Sequence, residues 1–161
     1  MVQIFIVYGG PEGEKIGRKV QVYFKANNIG AFLASPKSSD LKPSEDFQIR
    51  INKELKTANL AVIVVTNGIK SSKPALAEID RIINDLKYPW IPFVRRHVTP
   101  PKQLKRKWNV HFKSDSPSKS ELIQLELEMW RYYDQWRIRQ MEQVGEGEEV
   151  APKTASGLKV E

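Results

Sequence analysis

Leu60-Ala61-Val62-Ile63-Val64-Val65-Thr66 carries no charge and is apolar at every position but the last. A strand with one wet face alternates apolar and polar residues, whereas a strand covered on both faces does not. This stretch therefore reads as the central strand of a parallel sheet with helices on either side. Upstream, Val2 to Tyr8 forms a first strand ended by Gly9-Gly10-Pro11. Glu14 to Asn27 follows as a helix with Ile16, Val20, Tyr23 and Phe24 on one face. Ala31 to Ala34 is a short second strand, and Ser35 to Pro43 is a polar loop rich in turn formers. Ser44-Glu45-Asp46 opens the next helix, with Ser44 as its expected N-cap and Phe47, Ile51 and Leu55 along one side.

Downstream the alternation continues. Asn67-Gly68 turns the chain, Ser72 caps a helix near Pro74, and Leu76, Ile79, Ile82, Ile83 and Leu86 form its apolar stripe. Trp90 to Val94 is a fourth strand, in which Pro92 favours a place towards the sheet's edge. Trp108 to Phe112 is a fifth. Ser118-Lys119-Ser120-Glu121 matches a capping box before a long helix bearing Leu122, Leu125, Met129, Tyr133 and Trp136. Glycines and charged residues then point to one α/β domain over 1–143 and a flexible tail over 144–161.

Five such alternations predict an α/β, flavodoxin-like three-layer sandwich: a five-stranded parallel sheet in the order 2-1-3-4-5, with helices on both faces. Ligands of such sheets bind at the carboxyl ends of the strands, where the order reverses. Gly9-Gly10, the loop from Ser35, Asn67-Gly68 and Glu78 would share that rim. Glu78 then either lines the crevice or is a surface helix glutamate paired with a basic neighbour.

Composition narrows the chemistry. The 161 residues suit one core, no apolar run approaches the roughly 20 residues of a membrane span, and the N-terminus enters a strand at once. A soluble cytoplasmic domain without a membrane partner is the expectation. Cysteine is absent, and His97 and His111 lack helical zinc spacing, so neither a thiolate nucleophile nor a metal site is expected. Net charge is +7, and no Asp or Glu falls between Lys87 and Ser114. That segment attracts anions or is a solvated basic loop. Trp108 and Phe112 fit a strand better than an open stacking platform, so nucleic acid is not the expected partner.

The order of these features resembles a TIR (Toll/interleukin-1 receptor) domain, of the bacterial or archaeal type. Ile4 to Gly10 is similar to its first strand and following loop. Phe32-Leu33-Ala34 with Leu41-Lys42-Pro43-Ser44-Glu45-Asp46-Phe47 resembles its second strand and BB loop. Leu60 to Thr66 resembles the third strand, Ala77-Glu78-Ile79 the helix with the family's catalytic glutamate, and Trp90 to Val94 the fourth strand.

The resemblance implies hydrolysis of NAD⁺ at the nicotinamide–ribose bond in immune, defence or cell-death signalling, with NAD⁺ as substrate and no cofactor. Glu78 would be the catalytic carboxylate, stabilising or trapping an oxocarbenium-like ribose. Tyr8 or Phe47 would offer a flat surface to a base, or pack in the core like any aromatic. Gly9 and Gly10 would bring backbone N–H groups to a phosphate or simply make a tight turn. Ser35 and Asn67 complete the expected substrate side. Asp40, Leu41, Lys42 and Pro43 belong to the BB loop, through which copies assemble and complete the site. Pro74 departs from the family, which often has Trp four residues before the glutamate. It favours an alternative, a non-catalytic TIR–TIR interaction domain. A nucleoside deoxyribosyltransferase-like N-glycosidase is the other, with Asp80 against it.

Overall fold

A computed structural model of the chain describes residues 1–34, 46–104 and 109–150, with side chains to 144. Five strands, β1 (Gln3–Val7), β2 (Gly30–Leu33), β3 (Leu60–Val65), β4 (Trp90–Arg95) and β5 (Val110–Phe112), form one sheet in the order β2-β1-β3-β4-β5. Every pairing is parallel, with Phe5 between Phe32 and Ala61. The expected flavodoxin-like order is the observed one. Helices α1 (Gly10–Ala26) and α4 (Lys119–Val150) cover one face, and α2 (Phe47–Thr57) and α3 (Lys73–Asp80) the other. Successive residues of β3 feed opposite cores: Leu60, Val62 and Val64 pack towards α1 and α4, Ala61, Ile63 and Val65 towards α2 and α3. No helix among the described residues is long and apolar enough to cross a membrane.

Local chemistry fixes the helix ends. The Ser118–Glu121 capping box is formed: Ser118 N donates to Glu121 Oε1 at 2.8 Å and Glu121 N to Ser118 Oγ at 3.2 Å. Ser72 Oγ accepts from Ala75 N at 3.2 Å at the start of α3. The cap of α2 is Asp46, whose Oδ1 accepts from Gln48 N at 3.0 Å and Ile49 N at 3.1 Å. Ser44, expected in that role, lies outside the described residues. Asp46 Oδ1 holds two of the four orphan N–H groups at once, and its charge suits the dipole.

One expectation is revised. Pro92 lies in β4, an interior strand, opposite Ile63. β5 begins only opposite Phe93, and the bond from Arg96 N to Phe112 O shows which alternate residues face it. Pro92 belongs to that alternate set, so its missing N–H points where no strand has yet begun, and no ladder bond is lost. Helix α4 runs to Val150. Gly145 and Gly147 cost a helix only about 1 kcal/mol each and stand among good helix formers. Residues 151–161 lie outside the described residues.

Candidate functional site

The loops after β1 and β3 meet at the carboxyl edge of the sheet. Gly9 lies so close to the helical turn Ile69–Ser71 that a Cβ built on it would stand 2.8 Å from Ile69 Cα and 2.8 Å from Ser72 Cβ. Gly9 itself has an extended backbone (φ −137°), open to any residue, so closeness alone requires glycine there. Gly10 differs: it is exposed, with φ +81°, the left-handed region that glycine enters without a Cβ penalty. Replacing Gly10 with Ala is therefore expected to destabilise the domain by about 1–2 kcal/mol, read as a lowered urea midpoint.

Tyr8 follows β1, and alternation turns its ring towards α1, against Gly13 and Gly17. Its hydroxyl donates to Ala34 O at the end of β2. Asn67 is exposed beyond β3, in a cleft of about 260 Å³ shared with Thr66, Lys70, His97, Val98 and Thr99. Phe47, the first residue of α2, is 40% exposed, while Ile51 and Leu55 behind it are buried. Ser35, Asp40, Leu41, Lys42 and Pro43 lie outside the described residues.

Glu78 stands on α3, six positions after the Ser72 cap and so about 9 Å down the helix axis from the rim. Its neighbour Ile79 is fully buried against the sheet, leaving Glu78 half-buried beside α2. Among the described residues its carboxyl accepts no hydrogen bond. Arg81, about one turn further on, donates instead to Asn52 Oδ1 of α2 at 3.3 Å, and Gln48 Nε2 donates to the same oxygen at 3.1 Å. Asn52 thus links Gln48 of α2 to Arg81, just past the end of α3.

Burial without a hydrogen-bond partner disfavours the charged form. The Glu78 carboxyl is pushed up to about 8, even though the Arg81 charge pulls the other way. Tyr88 lies within its field. This phenol, buried just before β4, donates to Leu55 O at 2.8 Å and is raised by desolvation, Arg81 opposing and the Glu78 charge adding. Tyr88→Phe is expected to cost about 1 kcal/mol through the orphaned carbonyl, shifting the urea midpoint and leaving the slope unchanged.

The candidate residues thus divide between the two faces of the sheet. Glu78 and Phe47 belong to the α2/α3 face, Tyr8 to the α1/α4 face, and Gly9, Gly10 and Asn67 to the rim. The basic segment is partly committed: Arg95 Nη1 pairs with Glu12 of α1 and with Asp115 Oδ1 at 2.5 Å. Sequence reading missed Arg81 and Tyr88. An aromatic two positions before a strand, with a polar tip to satisfy, was the signal for Tyr88.

Solved structures similar to this chain are TIR domains. One is that of the Toll-related receptor TRR-2 from the lower metazoan Hydra magnipapillata, 14% identical with a TM-score of 0.56, the match covering 69% of this chain and 84% of that one. Another is the TIR domain of the activated Roq1 resistosome, which directly recognises the pathogen effector XopQ: 14% identity, TM-score 0.53, 83% of this chain and 80% of that one. At this identity the likeness is one of fold: the chain has the fold of a TIR domain. No family model and no curated protein matches it.

Proposed function

We propose that this domain cleaves NAD⁺ between nicotinamide and ribose, with Glu78 as the carboxylate that meets the developing ribosyl cation. The observation that carries this reading is the state of that carboxyl: half-buried, without a hydrogen-bond partner among the described residues, and held near pKa 8. Strongly perturbed carboxyls concentrate where chemistry is done. The TIR fold and the family resemblance at Ala77-Glu78-Ile79 add a reaction to that site.

In the reaction, the C1′–N1 bond of the ribosyl-nicotinamide breaks and its electron pair leaves with neutral nicotinamide. Water adds to C1′ and gives up a proton. The leaving group needs no strong acid, so the catalytic demand falls on the positive charge spread over C1′ and the ring oxygen. An ionised Glu78 supplies the opposite charge from a site where little water screens it. The cationic nicotinamide ring in turn favours ionisation as substrate binds.

A pH dependence follows with a definite sign. The reaction needs the deprotonated form, and the free enzyme holds the proton up to about pH 8. Accordingly, kcat/KM for nicotinamide release is expected to rise about tenfold per pH unit from 5 to 7 and to level off above 8. A profile already flat from pH 5 upward would remove the raised carboxyl from the mechanism.

In this reading NAD⁺ is the partner at the site, copies of the domain assemble, and Asp40, Leu41, Lys42 and Pro43 of one copy complete the site of the next. The Roq1 neighbour, part of an activated resistosome, supports assembly as the context. Immune or cell-death signalling in the cytoplasm is the corresponding role. A second reading, an interaction domain without catalysis, is favoured by one observation. Pro74 is exposed on the first turn of α3, so the ring that active TIR domains often carry four residues before the glutamate is missing there. Nicotinamide release by concentrated protein separates the two.

A further inference from the structure

The body of the domain ends before its last helix does. Among the described side chains Trp136 is the last half-buried one of α4, and every residue from Arg137 to Val144 is exposed, while the helix backbone continues to Val150. Ile138, Met141 and Val144 on this overhang are 54%, 67% and 60% exposed. Spaced by three, they make an apolar stripe about 120° wide centred on Met141, broad enough for a core-facing helix.

The charges around that stripe reverse in sign at its centre. Arg137 and Arg139 precede Met141, and Glu142 follows it, with Glu146, Glu148 and Glu149 next in the sequence. A parallel partner of the same sequence would set like charges against like along the whole overhang. An antiparallel one brings Arg139 within one position of the partner's Glu142 and Arg137 within one position of the partner's Glu146, and sets Ile138 against Val144 and Met141 against its own counterpart. A surface that is complementary to itself under a two-fold rotation is the isologous arrangement of a dimer.

We propose that the overhanging end of α4 pairs antiparallel with the same segment of a second copy of this chain, Met141 lying on the two-fold axis. The two domain bodies then stand at opposite ends of the pair, each with its α2/α3 face and its sheet rim uncovered. This contact is independent of the BB loop and of the NAD⁺ reading.

Because the chain has no cysteine, single introduced cysteines report the pairing. Under mild oxidation, Met141→Cys is expected to convert largely to a covalent dimer. Ile138→Cys and Val144→Cys are expected to cross-link when mixed and to stay monomeric when alone. Self-cross-linking of each of those two in isolation would mean a parallel pair and overturn the arrangement. Met141→Cys yielding no more dimer than Ile49→Cys, an equally exposed position on α2, would overturn the contact itself. As a second measurement, Met141→Asp is expected to abolish the dimer seen by light scattering at high micromolar protein. Its circular dichroism should show the domain still folded, since Met141 is 67% exposed and belongs to neither core among the described residues. Association unchanged by Met141→Asp would place the interface elsewhere.

Discussion

Glu78→Gln is expected to stabilise the domain by about 3–5 kcal/mol near pH 9, and hardly at all near pH 4. The carboxyl has an ordinary value of 4.5 and is pushed up to about 8 in the fold. Below the ordinary value both folded and unfolded chains hold the proton, and glutamine offers no advantage. Between the two values the unfolded chain ionises while the folded one does not, so wild-type stability falls steadily as pH rises. Above about 8 the folded state carries a half-buried charge that water no longer solvates fully, and the loss stays constant. Glutamine keeps the shape and removes that charge. In thermal melts the variant should gain on the order of 10 °C at pH 9, and its stability should lose most of the wild-type slope between pH 5 and 8. Equal pH slopes for wild type and variant would mean that the carboxyl is solvated.

Gly9→Ala is expected to destabilise the domain by about 1–3 kcal/mol, although alanine is at ease in the backbone conformation at that position. The added methyl would stand 2.8 Å from both Ile69 Cα and Ser72 Cβ, in a gap bounded by backbone that cannot swing away. Relief requires the turn Ile69–Ser71 to move, and with it the Ser72 cap that starts α3. The variant should therefore lower the urea midpoint and also disturb Glu78, which α3 carries. Comparing it with Gly10→Ala separates the causes: Gly10 pays for its positive φ, Gly9 for space. An undiminished midpoint in Gly9→Ala would show that the two loops are not held together.

Much of the fold was legible because burial writes itself into the sequence at short range. The unbroken apolar run of β3 announced a strand covered on both faces, and helical stripes at three- and four-residue spacing announced the helices between strands. Order followed from chain connectivity and handedness. Pro92 was placed towards the edge because the sequence shows a missing N–H and not the strand opposite; β5 is only three residues long and leaves that N–H position open. Asp46 and Ser44 are both good caps, and only the hydrogen-bond geometry distinguishes Asp46 as one.

The site was less legible. Glu78 could be placed on α3, and its half-buried state follows from standing next to Ile79 on a helix pressed to the sheet. Its carboxyl is raised by burial and lowered by Arg81, three positions on, but the bond that ties Arg81 to Asn52 of α2 spans 29 positions and has no local signature. The same holds for Arg95 and Glu12, which meet across 83 positions of sequence. Tyr8 shows the opposite case. Strand alternation alone, counted from Val7, turns its ring to the α1 face and away from Glu78.

The most direct test of the account is nicotinamide release from NAD⁺ by concentrated wild-type protein at pH 8, measured beside folded Glu78→Gln. Wild type should turn over, and the variant should lose at least about 100-fold in rate while melting higher. Turnover by the variant at the wild-type rate would contradict the assignment of Glu78. No release by either protein would leave an assembly domain whose strained carboxyl serves no glycosidic cleavage.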